Sequence, residues 1–97
     1  MGLTSILYRK VSRILGVKED VLEREALRQY ILSELRRVRI EARLIMARYG
    51  VSSIEELDEK IRCGELEETK VFEDFTRLDY LLDREEKLKK LLEELRG

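Results

Sequence analysis

Apolar residues recur along this chain at steps of three and four, and stretches of strand-like alternation are hard to find. In residues 4–15, TSILYRKVSRIL, the stripe runs through Ile6, Leu7, Val11, Ile14 and Leu15, with Leu3 just ahead of it. Arg9, Lys10 and Arg13 fall away from its centre, as in an amphipathic helix. Thr4 or Ser5 is the expected cap, and Gly16 the expected stop.

A second stripe, Leu27, Ile31, Leu35, Val38, Ala42, Ile45 and Tyr49, predicts a long helix from Val17 or Lys18 to Tyr49. At 1.5 Å per residue it would reach about 48 Å. That length suits either a coiled-coil-like helix or one broken near Glu23–Arg28. Ile40 and Leu44 lie off this stripe, and Leu32 widens it. One antiparallel neighbour cannot cover both faces, which leaves surface for the first helix, a second subunit or a protein partner. The competing reading is that one or two exposed aliphatics are normal.

Residues 50–64, GVSSIEELDEKIRCG, read as a glycine turn, a capped short helix and a second glycine turn. Ser52 with Glu55, and Ser53 with Glu56, are alternative capping boxes, and Val51 is the hydrophobic staple for either. Ile54, Leu57 and Ile61 form one apolar face. A polar connection, ELEETK, leads into a last helix from about Lys70 to Leu95. There Leu81, Leu88 and Leu95 keep seven-residue spacing, which favours left-handed packing on another long helix.

The predicted fold is all-α: a long antiparallel helical hairpin with a short helix in the connection and an additional amino-terminal helix. Residues 1–97 are read as a single helical domain, with 1–16 an arm or helix and 17–97 the hairpin core.

Composition agrees. Of the 97 residues, 43% are hydrophobic and 42% charged, and proline is absent. That charge fraction is well above the usual quarter, yet the regularly spaced leucines favour helices over disorder. The net charge of -1 hides a split: residues 1–49 carry 11 Lys and Arg against 6 Asp and Glu, whereas residues 50–97 carry 9 against 15. No apolar run approaches a membrane span and the start lacks the pattern of a signal peptide, so a cytoplasmic location without membrane contact is expected.

Catalytic patterns are missing. There is no histidine, no phosphate-binding glycine loop, no calcium loop and no zinc-protease motif. Cys63, the single cysteine, sits at the carboxy end of the short helix, where the dipole opposes a thiolate. Glu67, Glu68, Glu73, Asp74 and Asp79 show no restricted ligand spacing. The reading is of a non-enzyme with no metal or cofactor.

Binding has more support. Aromatic and aliphatic residues outside the main stripes make Leu32, Ile40, Leu44, Phe72 and Tyr80 the candidate partner-binding residues. Phe75 is assigned to the core, and Tyr30 and Tyr49 partly so. Arg9, Lys10 and Arg13, and separately Arg36, Arg39 and Arg43, are candidate phosphate contacts. Glu34 and Glu41 interrupt the second group, and no recognition helix stands out, which puts nucleic acid behind protein as a partner.

The stretch YGVSSIEELDEKIRCGELEETKVFEDF resembles that of a group of small helical prokaryotic proteins common in archaea, many of them uncharacterised. LGVKEDVLEREALRQYILSELRR resembles their amino-terminal part, so the likeness spans about residues 14–95. Tyr49 and Gly50 match a helix end; Ser53, Glu56 and Leu57 a short helix; Gly64 a turn; Phe72, Glu73 and Asp74 the aromatic-acidic start of the last helix. This chain has Phe72 where the group often has a tryptophan-containing segment. Some of the group look like the antitoxin of a toxin–antitoxin pair. The resemblance therefore implies a protein that binds and masks a small toxin enzyme, as a homodimer or a hetero-complex. A DNA-associated helical regulator and a homo-oligomeric scaffold are the alternatives.

Overall fold

The computed structural model describes residues 2–96. Four helices follow one another: α1 (Leu3–Leu15), α2 (Glu19–Arg48), α3 (Ile54–Arg62) and α4 (Glu68–Arg96). No strand occurs among the described residues. The long pair α2 and α4 lie antiparallel. Arg24 donates to the carbonyl of Leu95, Arg39 pairs with Glu85 and Arg48 with Asp74, so partner numbers fall as α2 advances. The molecule measures 61 × 26 × 20 Å, an elongated hairpin rather than a sphere.

The core is the seam that the stripes foretell. Ile31, Leu35, Val38, Ala42 and Ile45 of α2 are buried together with Val71, Leu78, Leu81 and Leu88 of α4. Val51 and Leu57 close the end at the connection. Phe75, Leu82, Leu92 and Leu95 pack half-buried against this cluster, as do Tyr49 and Leu66. α2 is continuous through Glu23–Arg28, so the alternative of a break there is not realised. The acidic first turn of α2, Glu19 and Asp20, suits its amino terminus. α4 starts at Glu68, two residues before the position that the apolar spacing marks, because a polar first turn leaves no periodic signal.

The connection is held by local hydrogen bonds. Of the two capping registers, Ser53 prevails: its Oγ accepts from the Glu56 amide at 3.1 Å. Glu56 reaches back to accept from the Ser52 amide at 3.0 Å, so Ser52 contributes backbone only. Gly50, at φ 65°, and Gly64, at φ 76°, turn the chain at either end of α3 in the left-handed region. In each case the following amide bonds back into the helix just ended, Val51 to Met46 and Glu65 to Lys60.

The amino-terminal cap differs from expectation. α1 begins one residue before Thr4, Gly2 stands at its N-cap, and no side chain caps it. Thr4 and Ser5 lie inside the first turn, where a side chain cannot accept from the helix's own N2 or N3 amide. α1 packs on the first turns of α2. Thr4, Leu7, Tyr8 and Val11 border Leu22, and α1 carries no buried residue. It therefore leaves the middle of α2 uncovered. Leu27, first in the expected core stripe, is exposed, and Tyr30 stands out into solvent instead of joining the core. Burial on α2 starts only at Ile31. Among the described residues no helix is long and apolar enough to cross a membrane.

Candidate functional site: the outer face of α2

At about 100° per residue, Ile40 falls on the side of α2 opposite the midpoint of its buried stripe, and Leu44 lies next to it. Ile40 is 51% exposed and Leu44 61% exposed. Leu32 differs from these two. It is half-buried, because its spacing from Leu35 leaves it at the edge of the seam rather than on the outer face. Leu32, Leu35, Arg36, Arg39, Ile40 and Arg43 line one shallow groove. The apolar and basic candidates of α2 are thus one surface: an aliphatic row bordered by guanidinium groups.

Its three arginines are not equivalent. Arg39 is turned to α4, where its Nε donates to Glu85 at 2.7 Å, so its charge is already matched. Arg36 and Arg43 are exposed, and no ion pair is made by either among the described residues. Arg9, Lys10 and Arg13 are exposed on α1, beside the first turns of α2. From Leu22 to Arg36 is 14 residues, about 21 Å of helix. The two basic groups are therefore separate patches, and Arg9 borders Glu19 and Glu23.

Phe72 and Tyr80 lie on α4, away from this groove. Phe72 is 61% exposed and borders a second depression with Asp58, Ile61 and Phe75. Tyr80 is 48% exposed but flanked within its own helix. The guanidinium carbons of Arg77 and Arg84 sit 5.3 and 6.0 Å from its ring centre, and Arg84 donates to its hydroxyl at 3.2 Å. Arg77 is also fixed from the side by a two-pronged pair with Glu41, at 2.6 and 2.9 Å. That pairing holds the Glu41 carboxyl below its ordinary range, the hydrogen bond from Arg77 being the main cause. The steps of three and four from Tyr80 to Arg77 and Arg84 were visible in the sequence; the pairing across to Glu41 was not.

A polar clasp at the connection joins three helices. Tyr49 donates its hydroxyl proton to Asp74, and Arg48 donates to the same carboxylate at 2.7 Å. The Lys60 ammonium donates to the Tyr49 carbonyl at 2.9 Å. Hydrogen bonds from Tyr49 and then Arg48 lower the Asp74 pKa, while the same carboxylate raises that of Tyr49. Two matched positions of the sequence pattern, the Tyr-Gly helix end and the aromatic-acidic start of α4, are here in direct contact. Their role is to fasten the hairpin.

Cys63 is exposed at the end of α3, and its thiol donates to Glu59 at 3.3 Å. That hydrogen bond and the carboxylate's charge raise its pKa, which opposes a reactive thiolate. Among the described residues no group of three or more His, Cys, Asp or Glu side chains converges where a metal ion could be held.

Comparison with known proteins gives a family. The family described as "Uncharacterized protein MJ0235 family" matches residues 1–97. The "Uncharacterized protein MJ0235" of Methanocaldococcus jannaschii is 31% identical over 70 residues, covering 72% of this chain and 85% of that protein. No solved structure gave a significant match. The chain belongs to the MJ0235 family.

Proposed function

We propose that this member of the MJ0235 family is a non-catalytic protein-binding module whose docking surface is the outer face of α2. One observation carries the reading. Ile40 and Leu44 stand exposed on a rigid helix, beside Arg36 and Arg43, where neither α1 nor α4 reaches. An aliphatic row on a helix provides the anchors of a helix-in-groove or helix-on-helix interface. The exposed arginines select a partner whose apolar contact is rimmed by carboxylates, and they set its register.

The sharper form is antitoxin-like: the chain covers a small enzyme sterically and keeps it inactive. The resemblance of residues 49–75 supports this form. A DNA-associated regulator is the second reading, favoured by the open charges of Arg36 and Arg43 and weakened by the Arg39–Glu85 pair.

The test is to purify the full chain from its native host together with the double variant Ile40→Asp/Leu44→Asp. The wild type retains a protein at fixed stoichiometry, and the variant loses it while keeping the same melting temperature. If the captured protein is an enzyme, its activity is suppressed by the wild type and not by the variant. Retention of the same partner by the variant contradicts the assigned surface. Nucleic acid released at moderate salt, with no protein partner, favours the regulator.

A further inference from the structure

The connection end of the hairpin carries an apolar surface separate from the outer face of α2. Asp58 and Ile61 of α3, with Glu68, Val71, Phe72 and Phe75 of α4, line a depression of about 150 Å³ between the two helices. Val71 is buried, Ile61 and Phe75 are half-buried, and Phe72 is 61% exposed. α1 does not reach this groove. It packs beside Leu22, and from Leu22 to Arg48, the partner of Asp74, is 26 residues, about 39 Å of helix. The charge around the groove is one-sided. Residues 54–75 hold 9 Asp and Glu against 3 Lys and Arg. Those three cations are already engaged: Arg62 with Asp58 and Glu59, Lys70 with Glu67, and Lys60 with the Tyr49 carbonyl. Glu55, Glu65, Glu68 and Glu73 are exposed and make no ion pair among the described residues. Glu68 belongs to the lining itself, about one turn before Phe72.

We propose that the groove between α3 and α4 docks a basic peptide segment of another protein. One large apolar side chain of that segment enters beside Phe72, while lysines or arginines next to it meet Glu68 and the surrounding carboxylates. The size suits a single side chain, since pockets that enclose a whole small molecule measure roughly 300–1,000 Å³. An exposed aromatic at the rim is the kind of residue that anchors an interface. The unmatched negative charge selects the partner's sign and repels nucleic acid and anionic bilayers. It also opposes a second copy of this chain: a two-fold contact through the groove would set the same acidic surround against itself. The preference is opposite to that of the outer face of α2, whose free arginines call for carboxylates.

The experiment is a nuclear magnetic resonance titration of the nitrogen-15-labelled full chain with two synthetic helical peptides of about 14 residues. Both carry leucine at helical spacing; one has lysine and the other glutamate at the remaining positions. The lysine peptide binds saturably, and the amide shifts centre on Ile61 and on Glu68 through Phe75. Phe72→Ser weakens binding at least about 10-fold, in line with loss of an anchor. Phe72 is exposed, so this change leaves the melting temperature where it was. Glu68→Lys weakens binding about 3- to 5-fold at low salt and little at high salt. Leu44→Asp changes nothing, so this groove and the outer face of α2 can fail separately. Absence of saturable binding, equal binding of the glutamate peptide, shifts centred on α2, or binding untouched by Phe72→Ser overturns the proposal. So does a chain that sediments as a dimer and becomes monomeric with Phe72→Ser, which would make the occupant a second copy.

Discussion

Replacing Leu57 by alanine removes the only buried side chain of α3. Leu57 is 0% exposed and, with Val51, closes the buried core at the connection. A Leu→Ala change at a fully buried site costs about 2–5 kcal/mol, from lost transfer free energy plus the cavity left behind. Leu57 sits near the lower middle of that range. Half-buried Ile54 and Ile61 flank it on a short helix that can settle inward and shrink the cavity. A loss of about 3 kcal/mol is then expected. For a domain of this size that lowers the melting temperature by roughly 12–24 °C. It is also a large fraction of the whole, since small domains hold about 5–15 kcal/mol and this elongated hairpin has a thin core. Urea titration followed by far-ultraviolet circular dichroism measures it. A loss below about 1 kcal/mol with an unchanged denaturant slope would show that α3 is not docked as described, and would refute the reasoning.

Further outcomes follow from the same contacts. Ser53→Ala loses the cap on Glu56 and destabilises by about 1 kcal/mol, whereas Ser52→Ala, which contributes only its amide, changes the urea midpoint little. Asp74 has a lowered folded pKa, so its bonds to Tyr49 and Arg48 stabilise above the unfolded carboxylate value near ~3.9 and are lost as pH falls through the folded value. Asp74→Asn should therefore lower stability at pH 7 and flatten the loss seen for the wild type below about pH 4, read from urea midpoints across pH. Gly50→Ala places a side chain at φ 65° and costs at least about 1 kcal/mol, seen as a lower melting temperature.

Much of the fold is legible in the sequence because a hairpin core is a one-dimensional pattern. The heptad from Leu81 through Leu88 to Leu95 and the stripe from Ile31 to Ile45 state the seam directly. Glycine at positions 16, 50 and 64, with serine at 53, punctuates it. Periodicity does not report where a neighbour ends. Leu27 continues the stripe of α2 in phase, but the cluster that buries Ile31 does not enclose it, so it stands exposed, as does Tyr30 to one side of the stripe. Charge pairing across helices is equally hidden. Arg39 reads as one of a basic triad, and only the antiparallel register brings Glu85 to it. The candidate outer face was read in part. Ile40 and Leu44 emerge as expected from their angle, whereas Leu32, nearer the stripe, is drawn to the edge of the seam. Tyr49 and Asp74 were both marked by their place in a pattern, and their contact requires the turn through α3 to be made.

The most direct test of the binding face is photo-crosslinking from position 44 in the native host. A photoreactive amino acid there replaces a side chain that is 61% exposed and leaves the core alone. The account predicts one crosslinked protein, mapped by peptide sequencing to a segment with apolar residues flanked by carboxylates, and lost when Ile40→Asp is added. Crosslinks that scatter over many proteins, or a single partner that persists with Ile40→Asp, would contradict it.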